Sequence, residues 1–463
     1  MDNRPTRCPG RLRSALLIGT AFVVGIAVVP LVGARLGVVS AYAETDGRPD
    51  TYRLLTLFGD VLERVHADYV DPVNDQDLIE NALNGMLTGL DPHSAYMNAK
   101  AFRNMQVQTK GEFGGLGLEV TQENGLTKVV SPIDDTPAAR AGVKAGDIIT
   151  ALDGKTVQGL SLNDMVDRMR GAPNTRITLT LRRDGVEKPV GLTMTREVIH
   201  IQVVKSRLLP DGIGYIRLTQ FTEKADSGIQ QAYGALKAQA GGKLRAVILD
   251  LRNNPGGLLD QAVAVSSDFL DRGEIVSTRA RHPEDNQRWG VKGGDILGGL
   301  PLVVLINGGS ASSSEIVAGA LQDHQRAVLL GTRSFGKGSV QTVIPEPGNG
   351  AIRLTTARYY TPSGRSIQAL GIAPDITVAE SREEPRRFGA ERESDLNHVL
   401  TNPGGIGQQS APVRTDLPPI AKEIPDRPPE GFPAFDPAKP DATDFQLRQA
   451  VAVANAMATR KRV

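Results

Sequence analysis

A single cysteine, Cys8, occurs in the 463 residues, and it precedes the apolar run from Ala15 to Val32. It is therefore not placed like a lipoprotein cysteine, which follows such a run. The rest of the chain can form no intramolecular disulfide, so an oxidising compartment would cost it nothing. Aromatic residues make up only 4% and the formal net charge is +1. Nucleic-acid binding is not supported, since no basic stripe with interleaved aromatics is present, and nothing argues for a polyanionic partner. Histidine is also sparse: His66, His93, His200, His282, His324 and His398 are the whole supply.

What the chain does have begins with Arg4, Arg7, Arg11 and Arg13 ahead of that apolar run, the pattern of a secretory signal or a membrane anchor. Ala41-Tyr42-Ala43 has the small-x-small form of a cleavage site, while Arg35 and the apolar length keep an uncleaved anchor open. Residues 1–43 are thus read as leader or anchor. From 50 to 105 the pattern is helical, with Leu54, Leu57, Phe58 and Val61 on one stripe and Leu78, Ile79, Ala82 and Leu83 on another. Residues 196–380 alternate strands and helices, 381–440 are rich in Pro and charge and read as a linker, and 441–463 resume a helical stripe through Phe445, Leu447, Ala450, Val451 and Ala454. That last helix fits a dimer contact or docking on the core equally well.

The stretch Asn307-Gly308-Gly309-Ser310-Ala311-Ser312-Ser313-Ser314-Glu315-Ile316 follows an apolar run and precedes a helical one. A strand-to-helix turn exposes a side chain at the sheet edge, and free N–H groups at the helix start can stabilise an oxyanion. Serines before a helix are also ordinary caps. The discriminating feature lies downstream, where Lys337 stands between Gly336 and Gly338. Glycines allow close packing, and desolvation lowers a lysine pKa from about 10.4 toward neutrality, as a base for a serine hydroxyl requires. Gln341 follows four residues later, on the same face of a strand spanning 340–344. His324 is twelve residues from Ser312, about 18 Å along a helix at 1.5 Å per residue, and reads as a surface residue. His93 or His282 could arrive only through folding. Glu315 suits either a role in this helix or simple compensation of its dipole.

Together these residues resemble the C-terminal processing peptidases, or tail-specific proteases, of serine peptidase family S41. The resemblance implies an α/β multidomain chain whose serine protease core is of the ClpP/crotonase type. Ser312 would be its nucleophile, Lys337 its general base and Gln341 the support of that base. The family more often has Ala where this chain has Ser313, a position thought to act through its backbone N–H, so the exchange should matter little. The glycine turn Arg252-Asn253-Asn254-Pro255-Gly256-Gly257 lacks the Gly-Lys-Ser/Thr ending of a P-loop and matches the family loop that supplies an oxyanion donor. That role falls to Gly257, with Gly256 the alternative, and the second donor to Ser313.

Residues 111–195 read as a separate β-rich module. Gly115-Leu116-Gly117-Leu118 resembles the carboxylate-binding loop of PDZ domains, and the segment from Ala138 to Ile149 resembles their centre. Such a loop would hold a chain-terminal carboxylate on successive N–H groups while the bound peptide adds a strand beside it. The expected partners are protein C-terminal tails, with a homodimer through the N-terminal helices and a regulatory or adaptor protein as further partners. No metal or other cofactor is required. The reading is an exported serine endopeptidase, in the periplasm or at the periplasmic face of the inner membrane. A silent PDZ scaffold or chaperone and a hydrolase of small amides are the competing classes. The former is disfavoured by Ser312, Lys337 and Gln341 standing together, the latter by a groove that a small substrate does not need.

Overall fold

The computed structural model describes residues 48–123, 125–382, 392–402 and 414–460. The leader, Cys8, the basic end Lys461-Arg462 and part of the 381–440 stretch lie outside them. The chain divides into one unit ending at Val73 and another from Asn74 onward. In the first, helix Arg48–Asp68 carries its apolar residues Leu54, Leu57, Phe58 and Val61 exposed. Among the described residues no helix is long and apolar enough to cross a membrane.

The second unit is mixed α/β. Its central sheet runs Val204–Leu209, Ile213–Leu218, Ala246–Asp250, Leu302–Ile306, Val328–Gly331, Ile376–Thr377, antiparallel at the first pair and parallel thereafter. Every residue of Ala246–Asp250 and Leu302–Ile306 is buried, as expected of parallel strands covered on both faces. The two-residue period divides the cover. Leu302, Val304 and Ile306 pack with Ile229, Val265, Ile316 and Leu321 from helices Ala225–Gln239, Leu259–Ser267 and Ser313–Asp323. Val303 and Leu305 face Phe445, Leu447, Ala450 and Val453 of helix Phe445–Arg460.

That terminal helix therefore docks on the core. Its start is tied by Arg252, which spans the buried Asp250 carboxylate (2.7 Å) and Asp444 (2.7 Å). The linker expectation also fails for the described part of 381–440. Leu417, Ala421, Ile424 and Phe432 cover the same sheet face, and the Arg414 guanidinium donates to the Ala327 carbonyl and the Asp416 carboxylate. Proline-rich backbone has no regular period, so isolated anchors of this kind leave no pattern in the sequence.

Three further sheets belong to this unit, the smallest pairing Glu112–Gly115 with Glu197–His200. Ala95–Met97, Gly350–Tyr360, Glu274–Ala280 and Arg288–Gly290 pair in that order, with Ser339–Glu346 also on Gly350–Tyr360. The third contains Leu118–Glu123, Leu126–Pro132, Ile148–Leu152, Arg176–Arg182 and Val190–Thr195, with Leu118–Glu123 at its edge. Helix Leu162–Met169, capped by Ser161, buries Met165 and Met169 against that sheet.

Candidate active site

Strand Leu302–Ile306 ends in a turn that delivers Ser312 to the start of helix Ser313–Asp323. Asn307 fixes the turn by accepting from the N–H groups of Asn253 (2.8 Å) and Gly309 (3.0 Å), which ties it to the glycine loop. Ser312 has φ 53 and ψ −112, a backbone conformation costly for a residue with a Cβ, so its surroundings must impose it.

Glu315 supplies the constraint. Its side chain is fully buried, and its carboxylate accepts from Ser334 Oγ (2.6 Å) and from the N–H groups of Gly336 (2.7 Å), Lys337 (2.9 Å) and Ser312 (2.8 Å). A single oxygen, Oε2, holds the backbones of both Ser312 and Lys337. Burial pushes the Glu315 carboxyl up to about 7, against the opposing effect of these hydrogen bonds. Neither reading open from sequence, a role in its own helix or compensation of the helix dipole, includes this joining of two segments.

Lys337 is packed as its flanking glycines suggest. A Cβ on Gly338 would stand 2.2 Å from the backbone N of Gln368, and one on Gly336 would stand 3.2 Å from the backbone of Ala369 and Gly371. Burial, reinforced by the Arg353 guanidinium, lowers the Lys337 amine below the ordinary lysine range, while Glu393, Glu315 and Asp91 oppose the shift. Among the described residues its amine has no hydrogen bond or ion pair.

The glycine loop lies against Ser312. A Cβ on Gly256 would come within 2.9 Å of the Ser312 Cβ and the Ser313 backbone N. The Gly256 N–H donates to Asn254 Oδ1 (2.9 Å) and is used. The N–H groups of Gly257 and Ser313 make no hydrogen bond among the described residues. Ser313 does more than present its backbone, because its Oγ donates to the Gly257 carbonyl at 3.0 Å.

Gln341 departs from the geometry read from sequence. The strand starts at Ser339, beyond Lys337, and a bulge between Val340 and Gln341 breaks the period that placed both side chains on one face. Its amide donates to Ser339 Oγ (2.9 Å) and Thr355 Oγ1 (3.3 Å), with no hydrogen bond to Lys337. Thr355 in turn donates to Asp91 (3.0 Å), which also accepts from Ser94 Oγ (2.6 Å).

His93 binds Glu393 at 2.8 Å and His324, half-buried, binds the Glu274 carbonyl at 2.7 Å, while none of the six histidines contacts Ser312 through a hydrogen bond. Glu393, fully buried and also bonded by Gln368 (2.9 Å), is the neighbour that sequence reading missed, for it lies in the stretch taken as linker.

The loop Gly115 to Leu118 borders a cavity of about 240 Å³ that Val120, Val166, Met169 and Arg170 also line. The Leu116 and Gly117 carbonyls accept from Ala138 and Ile133, whereas their N–H groups have no acceptor among the described residues. Among the described residues no group of three or more His, Cys, Asp or Glu side chains is placed to hold a metal.

Comparison with known proteins supplies the family. Residues 212–378 match the model of peptidase family S41, 128–183 a PDZ domain, and 41–101 the N-terminal domain of activating protease CtpB. A carboxy-terminal-processing protease of Bartonella bacilliformis is 56% identical over 364 residues, 78% of this chain and 83% of the relative. A carboxyl-terminal-processing protease of a Synechocystis species is 36% identical over 73% and 77%, respectively. The solved photosystem II D1 C-terminal processing protease matches with 31% identity and a TM-score of 0.41, covering 69% of this chain and 86% of its own.

Proposed function

The chain belongs to peptidase family S41, and from that premise we propose that it is an exported serine endopeptidase that selects protein C-termini and cleaves near them by a Ser-Lys mechanism. Ser312 Oγ attacks the scissile carbonyl, the neutral Lys337 amine takes the hydroxyl proton, and the ammonium returns it to the leaving amine as the acyl-enzyme forms. Water, deprotonated by the same amine, then releases the acyl group. The N–H groups of Gly257 and Ser313 receive the oxyanion, both being without a competing acceptor among the described residues. Gln341 supports Lys337 indirectly, by its hydrogen bond to Ser339, two residues beyond Lys337 along the chain, rather than by a bond to the amine.

The observation that carries this reading is the Glu315 oxygen shared by the Ser312 and Lys337 backbones, because it ties the backbone of a strained serine to that of a lysine whose amine is desolvated. The PDZ module takes the substrate's terminal carboxylate on Gly115, Leu116, Gly117 and Leu118, and the tail adds to the edge strand Leu118–Glu123. The basic-then-apolar leader supports export to the periplasm or the periplasmic face of the inner membrane. Homodimerisation and a regulatory partner belong to the same proposal.

The test is incubation of the chain from Glu44 onward with an unfolded protein bearing an apolar C-terminal tail. Cleavage should be absent with Ser312→Ala and Lys337→Ala, and amidating the tail carboxylate should raise KM strongly while leaving slow cleavage at high substrate concentration. Tail binding without cleavage by the parent would favour a scaffold instead.

A further inference from the structure

Beside the Gln341 network lies a cavity of about 460 Å³ lined by Arg279, Arg281 and Arg358, together with Asp91, Thr355 and Leu400. None of the three arginines forms an ion pair among the described residues. Arg279 and Arg358 are directly opposed in the antiparallel pair of Glu274–Ala280 with Gly350–Tyr360, where two like charges are unfavourable. Arg279 is nevertheless held in place, its guanidinium 3.9 Å from the centre of the Tyr360 ring. Arg358 has its Nε buried without a partner. The one acidic wall residue is already engaged, since Asp91 accepts from Ser94, Thr355 and the His93 N–H.

The cavity also adjoins the proposed chemistry. Arg358 stands opposite Ser339, two residues after Lys337, and Thr355 bridges the Gln341 amide and Asp91. We propose that this arginine-lined cavity is a specificity subsite that takes an acidic side chain of the substrate polypeptide flanking the scissile bond. The inference rests on the peptidase reading and adds a substrate preference to it. A guanidinium binds a carboxylate through paired N–H donors, and a site beside the reacting centre would fix the register of the chain being cut.

The experiment uses C-terminally amidated peptides, so that no terminal carboxylate can occupy the cavity, carrying Glu or Gln at successive positions around a mapped cleavage site. We expect one position at which Glu exceeds Gln in kcat/KM on the order of tenfold, an advantage that shrinks with added salt. That ratio should fall toward one in Arg358→Gln and in Arg279→Gln and be largely kept in Arg358→Lys. Because each ratio is internal to one protein, loss of folded protein does not mimic the effect. Binding of the same peptides to Ser312→Ala, read by fluorescence anisotropy, should show the same Glu preference without turnover. Ser312-dependent cleavage indifferent to Glu or Gln, or a preference that survives both Gln variants, overturns the subsite and leaves the peptidase reading intact. Absence of cleavage by the parent of both the amidated peptides and a substrate with a free C-terminal tail overturns the peptidase reading, and the anisotropy arm then still decides whether the cavity binds carboxylates.

Discussion

The turn at Ser312 and the loop at Gly115 to Leu118 are both glycine-assisted, yet they treat their polar groups in opposite ways. At Ser312 one buried carboxylate accepts four hydrogen bonds and fixes the backbones of two separate segments. At the loop the Leu116 and Gly117 carbonyls are tied down, while the N–H groups of the same residues are left without acceptors among the described residues. Chemistry needs reacting groups held within a fraction of an ångström, whereas recognition of a terminus needs donors kept vacant for the ligand. The proposed oxyanion donors, Gly257 and Ser313, combine the two solutions, being N–H groups vacant among the described residues on an over-determined frame.

The contrast is broken most severely at the serine. Ser312→Ala should lower kcat/KM by roughly 10⁴-fold or more while leaving tail binding intact, measured as peptide hydrolysis against anisotropy of a labelled tail. Glu315→Gln tests the frame rather than the nucleophile. It leaves buried N–H donors facing an amide, so we expect a loss of about 3 kcal/mol in stability, by urea unfolding, and roughly 100-fold in kcat.

Titration sharpens the same point. The folded pKa of Glu315, about 7, lies above its ordinary value of 4.5, so the folded state binds the extra proton. Its contribution to stability is therefore fully present below pH 4.5 and is lost as pH rises through about 7, a fall that Glu315→Gln should abolish. Activity should move the other way. Ionised Glu315 is needed to accept all four bonds, and Lys337 must be neutral to act as base, so log kcat/KM should climb through neutrality with a slope above one on its acid side. A slope that stays at one in both proteins would leave Lys337 as the only group titrating. The site is thus less stable in its working ionisation state, as activity often demands.

The strand-to-helix turn at Ser312 and the tight packing of Lys337 between its glycines were legible because each sits in a short local pattern, whereas the choice of Ser312 among its neighbours and the role of the glycine loop came from the family resemblance. Glu315 was ambiguous for the opposite reason: a first-turn glutamate looks the same whether it faces water or joins two segments, and its donors come from Ser334, Gly336 and Lys337, beyond its own helix. Glu393 and His93 meet across almost the whole core, with no periodicity to announce it. The bulge before Gln341 defeated a correct rule by shifting its register. In the fold, complete burial of the central parallel strands followed from their apolar runs, but anchors such as Arg414 and Phe432 had no pattern to carry them.

On the recognition side, Gly117→Ala is the sharper cut. Gly117 has φ +76, and an added Cβ would stand 2.3 Å from Thr136, so the loop must shift. Tail affinity should fall at least about tenfold, while turnover of a peptide lacking a free carboxylate should fall far less. Equal losses on both substrates would mean that loop and protease turn are one mechanical unit.

The smallest expected effect bears on the residue that belongs to both descriptions. Ser313 gives its N–H to the proposed oxyanion hole and its hydroxyl to the carbonyl of Gly257, the other donor's own residue. Its Oγ therefore fixes the orientation of the second glycine, a function that an alanine at this position would have to obtain from packing alone. Loss of one such hydrogen bond is worth about 1 kcal/mol, or roughly fivefold. In Ser313→Ala that loss should appear in kcat with KM unchanged, and equally in the affinity of a peptide aldehyde whose hemiacetal oxygen occupies the hole, while Ser313→Thr restores both in part. If KM rises and kcat holds, the hydroxyl supports substrate binding and the two glycine loops are more alike than their hydrogen bonds indicate.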